Sequence, residues 1–200
     1  DDMDRTVAFV LKPGVELYGS FAGAEALLSE RNLSIVYETI LSGDIDTDGI
    51  GDAENSYNVV IAANDVRLDG FTVVFGYSMD MSSTDPVNLP YHSGAGLFAK
   101  DISNVTVENC RFYGNAAHHQ GGAMYFDSST ATVRATRVYG NMAPYAGGAM
   151  IKNGSIVTFD GCYFHDCMAY HLLTTYYYGG AMVVTDRKST RLNSSHESPS

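Results

Sequence analysis

Apolar and polar positions alternate along short runs, and the same run returns at a fixed interval. Val105-Thr106-Val107-Glu108-Asn109-Cys110-Arg111-Phe112-Tyr113-Gly114-Asn115 aligns with residues 131–141 and again with residues 157–167, a step of 26 residues. In that alignment Val107, Val133 and Phe159 share one column, and Phe112, Val138 and Phe164 share another. Cys110, Thr136 and Cys162 form a third, while Glu108, Arg134 and Asp160 form a charged column beside the first. Period-two alternation of β-branched and aromatic residues predicts strands, each presenting one side chain inward and the next outward. The ion-bearing column suits an outward ladder of alternating charge.

Between the strand blocks stand glycine pairs. Gly121-Gly122-Ala123-Met124 recurs as Gly147-Gly148-Ala149-Met150 and Gly179-Gly180-Ala181-Met182, with Gly94-Ala95-Gly96-Leu97 as an earlier, altered copy. Such pairs read as corners where a side chain would collide or φ must be positive. A unit of this size cannot bury its apolar side alone and must stack on its neighbours. The expected class is therefore all-β, a right-handed parallel β-helix (solenoid) spanning residues 1–185.

The first half is less regular but fits the same scheme. Val7 to Val10 and Val15 to Tyr18 predict a first rung; Ile61, Val66, Leu68, Phe71 and Val73 predict another. Residues 77–93, with Pro86 and Pro90, read as a loop leaving the coil. Ala24 to Arg31 is the one stretch read as a short N-terminal cap helix. Residues 186–200 lack apolar period and glycine pairs, and are expected to be a disordered or artefactual tail.

Two motifs carry a family likeness. Phe112-Tyr113-Gly114-Asn115 and the Gly-Gly-Ala-Met tetrads resemble the paired FxxN and GGA(I/L) repeats of chlamydial polymorphic outer-membrane proteins. Residues 12–23 and Thr39-Ile40-Leu41-Ser42-Gly43-Asp44 resemble large secreted bacterial proteins of the pectate-lyase-like parallel β-helix type. The resemblance covers roughly residues 7–184, with Val138 standing for the repeat's Phe and Cys167 for its Asn. It implies an extracellular or cell-surface scaffold contacting glycans or other macromolecules. It carries over no catalytic residue, because no position matches the calcium carboxylates and arginine base of the lyases.

Composition narrows the partners. A formal net charge of −11 argues against nucleic acid and anionic membrane. No run of eighteen apolar residues suggests a membrane span, and Asp1-Asp2-Met3-Asp4-Arg5 has no signal-peptide pattern. The three cysteines are too few for a disulfide scaffold, with Cys110 and Cys162 expected two rungs apart as buried fillers.

Candidate chemistry falls in two places. Asp44, Asp46, Asp48 and Asp52, around Gly49 and Gly51, place oxygens at alternate positions of a turn, as calcium requires. Asn55 stands where the usual loop has a bidentate Glu, so the alternative is a plain acidic loop. Secondly, His92, His118, His119 and His171 gather before the glycine pairs, with Tyr145 in the corresponding loop and Tyr176 among the tyrosines after His171. Stacked loops would make these an aromatic, partly polar ligand-binding strip suited to sugar rings. Their spacing is not a zinc motif. The alternative function is a polysaccharide-active lyase or glycoside hydrolase. Its only spaced carboxylates, Glu108 and Asp160, are separated by Arg134.

Overall fold

The structure is a computed structural model that describes residues 4–34, 37–79, 90–170, 180–185 and 191–193. Every named strand pairing is parallel, and the strands form four sheets running along one coil axis. One full coil is read from Leu97–Lys100, Val105–Glu108, Arg111–Tyr113 and Ala116–Ala117, after which Met124–Asp127 returns to the first sheet. Among the described residues the four sheets hold six, six, five and four strands in that order.

The register is the one that the 26-residue step dictates. Val133 pairs with Val107 on one side and Phe159 on the other, and Val138 pairs likewise with Phe112 and Phe164. Val107, Val133, Phe112 and Val138 are fully buried and Phe159 is nearly so, forming a column of apolar side chains inside the coil. A Val in place of the repeat's Phe is accommodated in this column. Each coil thereby covers the apolar edge of the next, which is the source of its stability.

Corners are made by residues in the left-handed region. Asn109, Ala135 and Gly161 occupy one corner position in successive coils, with φ of 51°, 44° and 59°. The conformation costs Ala135 energy that the surrounding register must offset.

Several expectations change. Ala24 to Arg31 forms no α-helix; only Leu28–Glu30 makes a single 3-10 turn. Leu27 and Leu28 are exposed, so the stretch has no apolar face to bury, and Glu25 and Glu30 instead accept hydrogen bonds from the backbone N–H groups of residues 22–24 and 26–27. The stretch is anchored by Arg31, which reaches the buried Asp69 at 3.1 Å. The loop after the third sheet begins later than expected, since Tyr77–Ser78 is a strand. Within the expected tail, Arg191–Asn193 is a strand beside Ile156–Asp160. Among the described residues no helix is long and apolar enough to cross a membrane.

Candidate functional site

The third sheet exposes an ordered row of polar and aromatic groups. In Arg111–Tyr113 and Arg137–Tyr139 the middle residue points into the core, so the flanking residues must point outward. Pairing in register places Arg111, Arg137 and Tyr163 in one outward row, and Tyr113, Tyr139 and His165 in the next. The rings of the second row stack along the axis: Tyr113 on Tyr139 at 5.2 Å, and Tyr139 on His165 at 4.9 Å. Tyr163 is 61% exposed at the end of the first row. A depression of about 160 Å³ lies beside the arginines, lined by Leu33, Asn109, Cys110, Arg111, Ala135 and Arg137.

The electrostatics of this face are mixed. Burial pushes the Tyr113 phenol up, with the Glu38 carboxylate adding to the effect. Tyr139 is also raised, first by burial and then by Tyr113 and Glu38, while Arg111 and Arg137 oppose the rise. Both phenols therefore remain neutral hydrogen-bonding groups beside two cations. The sequence already held this row in its repeat, but periodicity does not say which outward row stays open.

The histidine strip divides. His92, His118 and His119 meet at one corner, and one ligand atom from each lies within 4.8 Å of the other two. His92 is 1% exposed and, among the described residues, neither ring nitrogen has a hydrogen-bond partner. Tyr145 belongs to the adjoining coil, where its N–H donates to the His119 carbonyl at 2.9 Å. His171 and Tyr176 lie outside the described residues.

The acidic turn brings together part of its expected set. Carboxylate oxygens of Asp44, Asp46 and Asp48 lie within 4.8 Å of one another, and Asp52 stands outside that group. Much of their capacity serves the loop itself. Asp44 accepts from the N–H groups of Thr47 and Gly49, Asp48 from Ile50, and Asp52 from Glu54. Burial pushes Asp44 up, but these N–H groups and Asp46 outweigh it and hold its carboxyl below the usual range. Asp46 is raised by burial, by its hydrogen bond with Asp44 and by the Asp48 charge. Asn55 is fully buried and its amide donates to the carbonyls of Ile50 and Phe75.

The charged column differs from a simple alternating ladder. Register places Arg134 between Glu108 and Asp160, but Glu108 pairs with Arg67 of the preceding coil at 2.5 Å. Among the described residues no ion pair joins Arg134 to either carboxylate. The three cysteines are free thiols. Burial raises Cys162 and Cys167 and pushes Cys110 up to about 12, which suits fillers and not nucleophiles.

The stacked parallel sheets and inward columns define a β-helix solenoid. The chain belongs to the family described as right handed beta helix region, whose model matches residues 48–197. A search of curated proteins found no match, and neither did a search of solved structures.

Proposed function

We propose that this chain is a secreted or cell-surface scaffold that contacts acidic glycans through the outer face of its third sheet. The observation that carries the reading is the in-register pair Arg111 and Arg137, flanked by Tyr113, Tyr139 and the exposed Tyr163. Guanidinium groups one strand spacing apart, about 4.8 Å, match a polymer carrying repeated carboxylates. Tyrosine edges and an exposed ring supply hydrogen bonds and apolar contact to sugar rings. The positive pair sits on a chain of net charge −11, so selectivity for the acidic polymer comes from this local patch. The likeness of the repeats to chlamydial surface proteins supports the same placement. Glu108 is engaged by Arg67 and does not stand free as an acid opposite Asp160, which weighs against the enzymatic alternative.

The test is calorimetric titration with polygalacturonate, its methyl ester and dextran. Binding of the first only, weakened by salt and lost in the Arg111→Ala/Arg137→Ala variant, is expected. Equal binding of all three polymers, no binding of any, or undiminished binding by the folded variant would reject this face as the contact surface.

A further inference from the structure

His92 and His118 are 26 residues apart in sequence, which is one coil, and the chain geometry turns that interval into a contact. His92 ends the 3-10 turn Pro90–His92, while His118 and His119 follow the strand Ala116–Ala117. Their backbones are pinned. The His118 N–H donates to the Ser78 carbonyl and the His119 N–H to the His92 carbonyl, each at 2.9 Å. On the far side Tyr145 donates to the His119 carbonyl at 2.9 Å, and parallel bridges join Ser93, Gln120 and Tyr145. Consecutive residues of a strand would point to opposite faces, but the chain bends at 118–119, and both imidazoles come to the same place.

Ring centroids are 5.9 Å apart for His92 and His118, 5.6 Å for His92 and His119, and 4.5 Å for His118 and His119. Burying an imidazole with both nitrogens unused is costly, since each has lost water without gaining a partner. His92 is in that condition, at 1% exposure, against two other imidazoles. An aromatic cluster alone would be served as well by Phe or Tyr. Three imidazoles with their ligand atoms converging are what a metal ion needs.

We propose that His92, His118 and His119 form a three-imidazole site for a divalent transition metal of the zinc class. Neutral nitrogen donors favour Zn²⁺, Co²⁺, Ni²⁺ and Cu²⁺ over the oxygen-seeking Ca²⁺ and Mg²⁺. Metal–nitrogen bonds of about 2.0–2.1 Å in a tetrahedral arrangement require nitrogens roughly 3.3 Å apart. The ligand atoms already lie within 4.8 Å of one another, so binding requires the half-buried His118 and His119 to draw closer to the buried His92. The fourth position of a tetrahedral ion would be taken by water. The bound ion ties two successive coils together at the corner and stabilises the folded chain by mass action. The acidic charge of the whole chain favours approach of the cation.

The experiment uses the full chain without a histidine tag, stripped with EDTA and dialysed. Titration with Co²⁺ should saturate at one ion per chain and develop the visible bands of a four-coordinate, nitrogen-bound ion. Zn²⁺ should displace it and raise the melting temperature, whereas Mg²⁺ and Ca²⁺ should do neither. The His118→Ala/His119→Ala variant, which leaves the buried His92 in place, should lose saturable binding while keeping a native circular dichroism spectrum. His165→Ala should bind as the parent does. If the double variant does not fold, His118→Gln and His119→Gln are titrated singly, with weaker affinity expected for each. No saturable Co²⁺ or Zn²⁺ binding by the parent chain, or parental affinity in the folded double variant or in both single variants, overturns the site.

Discussion

Asn115 and Asn141 lie one coil apart, both fully buried, and are joined side chain to side chain, with Asn115 Nδ2 3.0 Å from Asn141 Oδ1. The same oxygen accepts the Asn115 backbone N–H at 3.1 Å, and Asn115 Oδ1 in turn accepts the Gly76 N–H at 3.0 Å. Asn141 Nδ2 donates to the Phe112 and Tyr139 carbonyls. The amides thus satisfy backbone groups that a corner removes from the strand ladder, where water does not reach. In the third coil Cys167 takes the position, and the best contact from Asn141 is 3.9 Å to its sulfur. Asn141→Ala should cost about 3 kcal/mol, because it orphans several buried groups at once. Cys167→Asn should extend the ladder and stabilise by about 1 kcal/mol. Urea denaturation of the two variants decides: a loss under roughly 0.5 kcal/mol for Asn141→Ala would mean that the ladder is not structural.

Glycines in this fold do two different jobs, and alanine substitution separates them. A Cβ at Gly122 would sit 2.5 Å from the Met142 carbonyl oxygen and 2.6 Å from that of Gly147, although its φ is not positive. The next coil's backbone cannot retreat without breaking register. Gly154 has φ of 76° and nothing within 4 Å of the added atom. Gly122→Ala should therefore cost about 3 kcal/mol or more, and Gly154→Ala about 1 kcal/mol from backbone strain alone. The measurement is again the denaturation midpoint at constant slope. The opposite order of the two costs would refute the close-approach argument.

The coil period made the fold legible, since one interval placed Val107, Val133 and Phe159 inward in phase, and the observed pairings follow it. It could not foresee that Leu27 and Leu28 stay exposed, so that Ala24 to Arg31 has no buried face and is held by the tertiary ion pair of Arg31 with Asp69. Nor could it choose among outward rows. Arg111 and Arg137, like Tyr113 and Tyr139, are visible in the alignment, yet which row remains accessible depends on what the connecting segments cover. The histidines were legible as a loop strip, but their convergence required the bend at 118–119. Glu108 was read with Arg134; its pairing with Arg67 reflects side-chain reach between coils, which register alone does not set.

Burial of the Cys110 thiol should make the stability of the chain depend on alkaline pH. The thiol is 1% exposed and near the carbonyls of Glu108 and Leu68, and burial pushes its pKa up to about 12 from an unfolded value of 9.0. Because the folded pKa is the higher, the unfolded chain loses this proton first as pH rises. The contribution is fully present below about pH 9 and is lost as pH climbs to about 12, with a ceiling near 4 kcal/mol. Cys110→Ala removes that titration while adding a small, pH-independent cavity cost. The stability of the parent chain should therefore fall more steeply than that of Cys110→Ala between pH 9 and pH 11, the tyrosines and the other thiols being common to both. In the native chain at pH 8, iodoacetamide should leave Cys110 unmodified and label it only on unfolding. Parallel stability curves for the two proteins, or rapid native-state labelling of Cys110, would show that the thiol is not held neutral by the core.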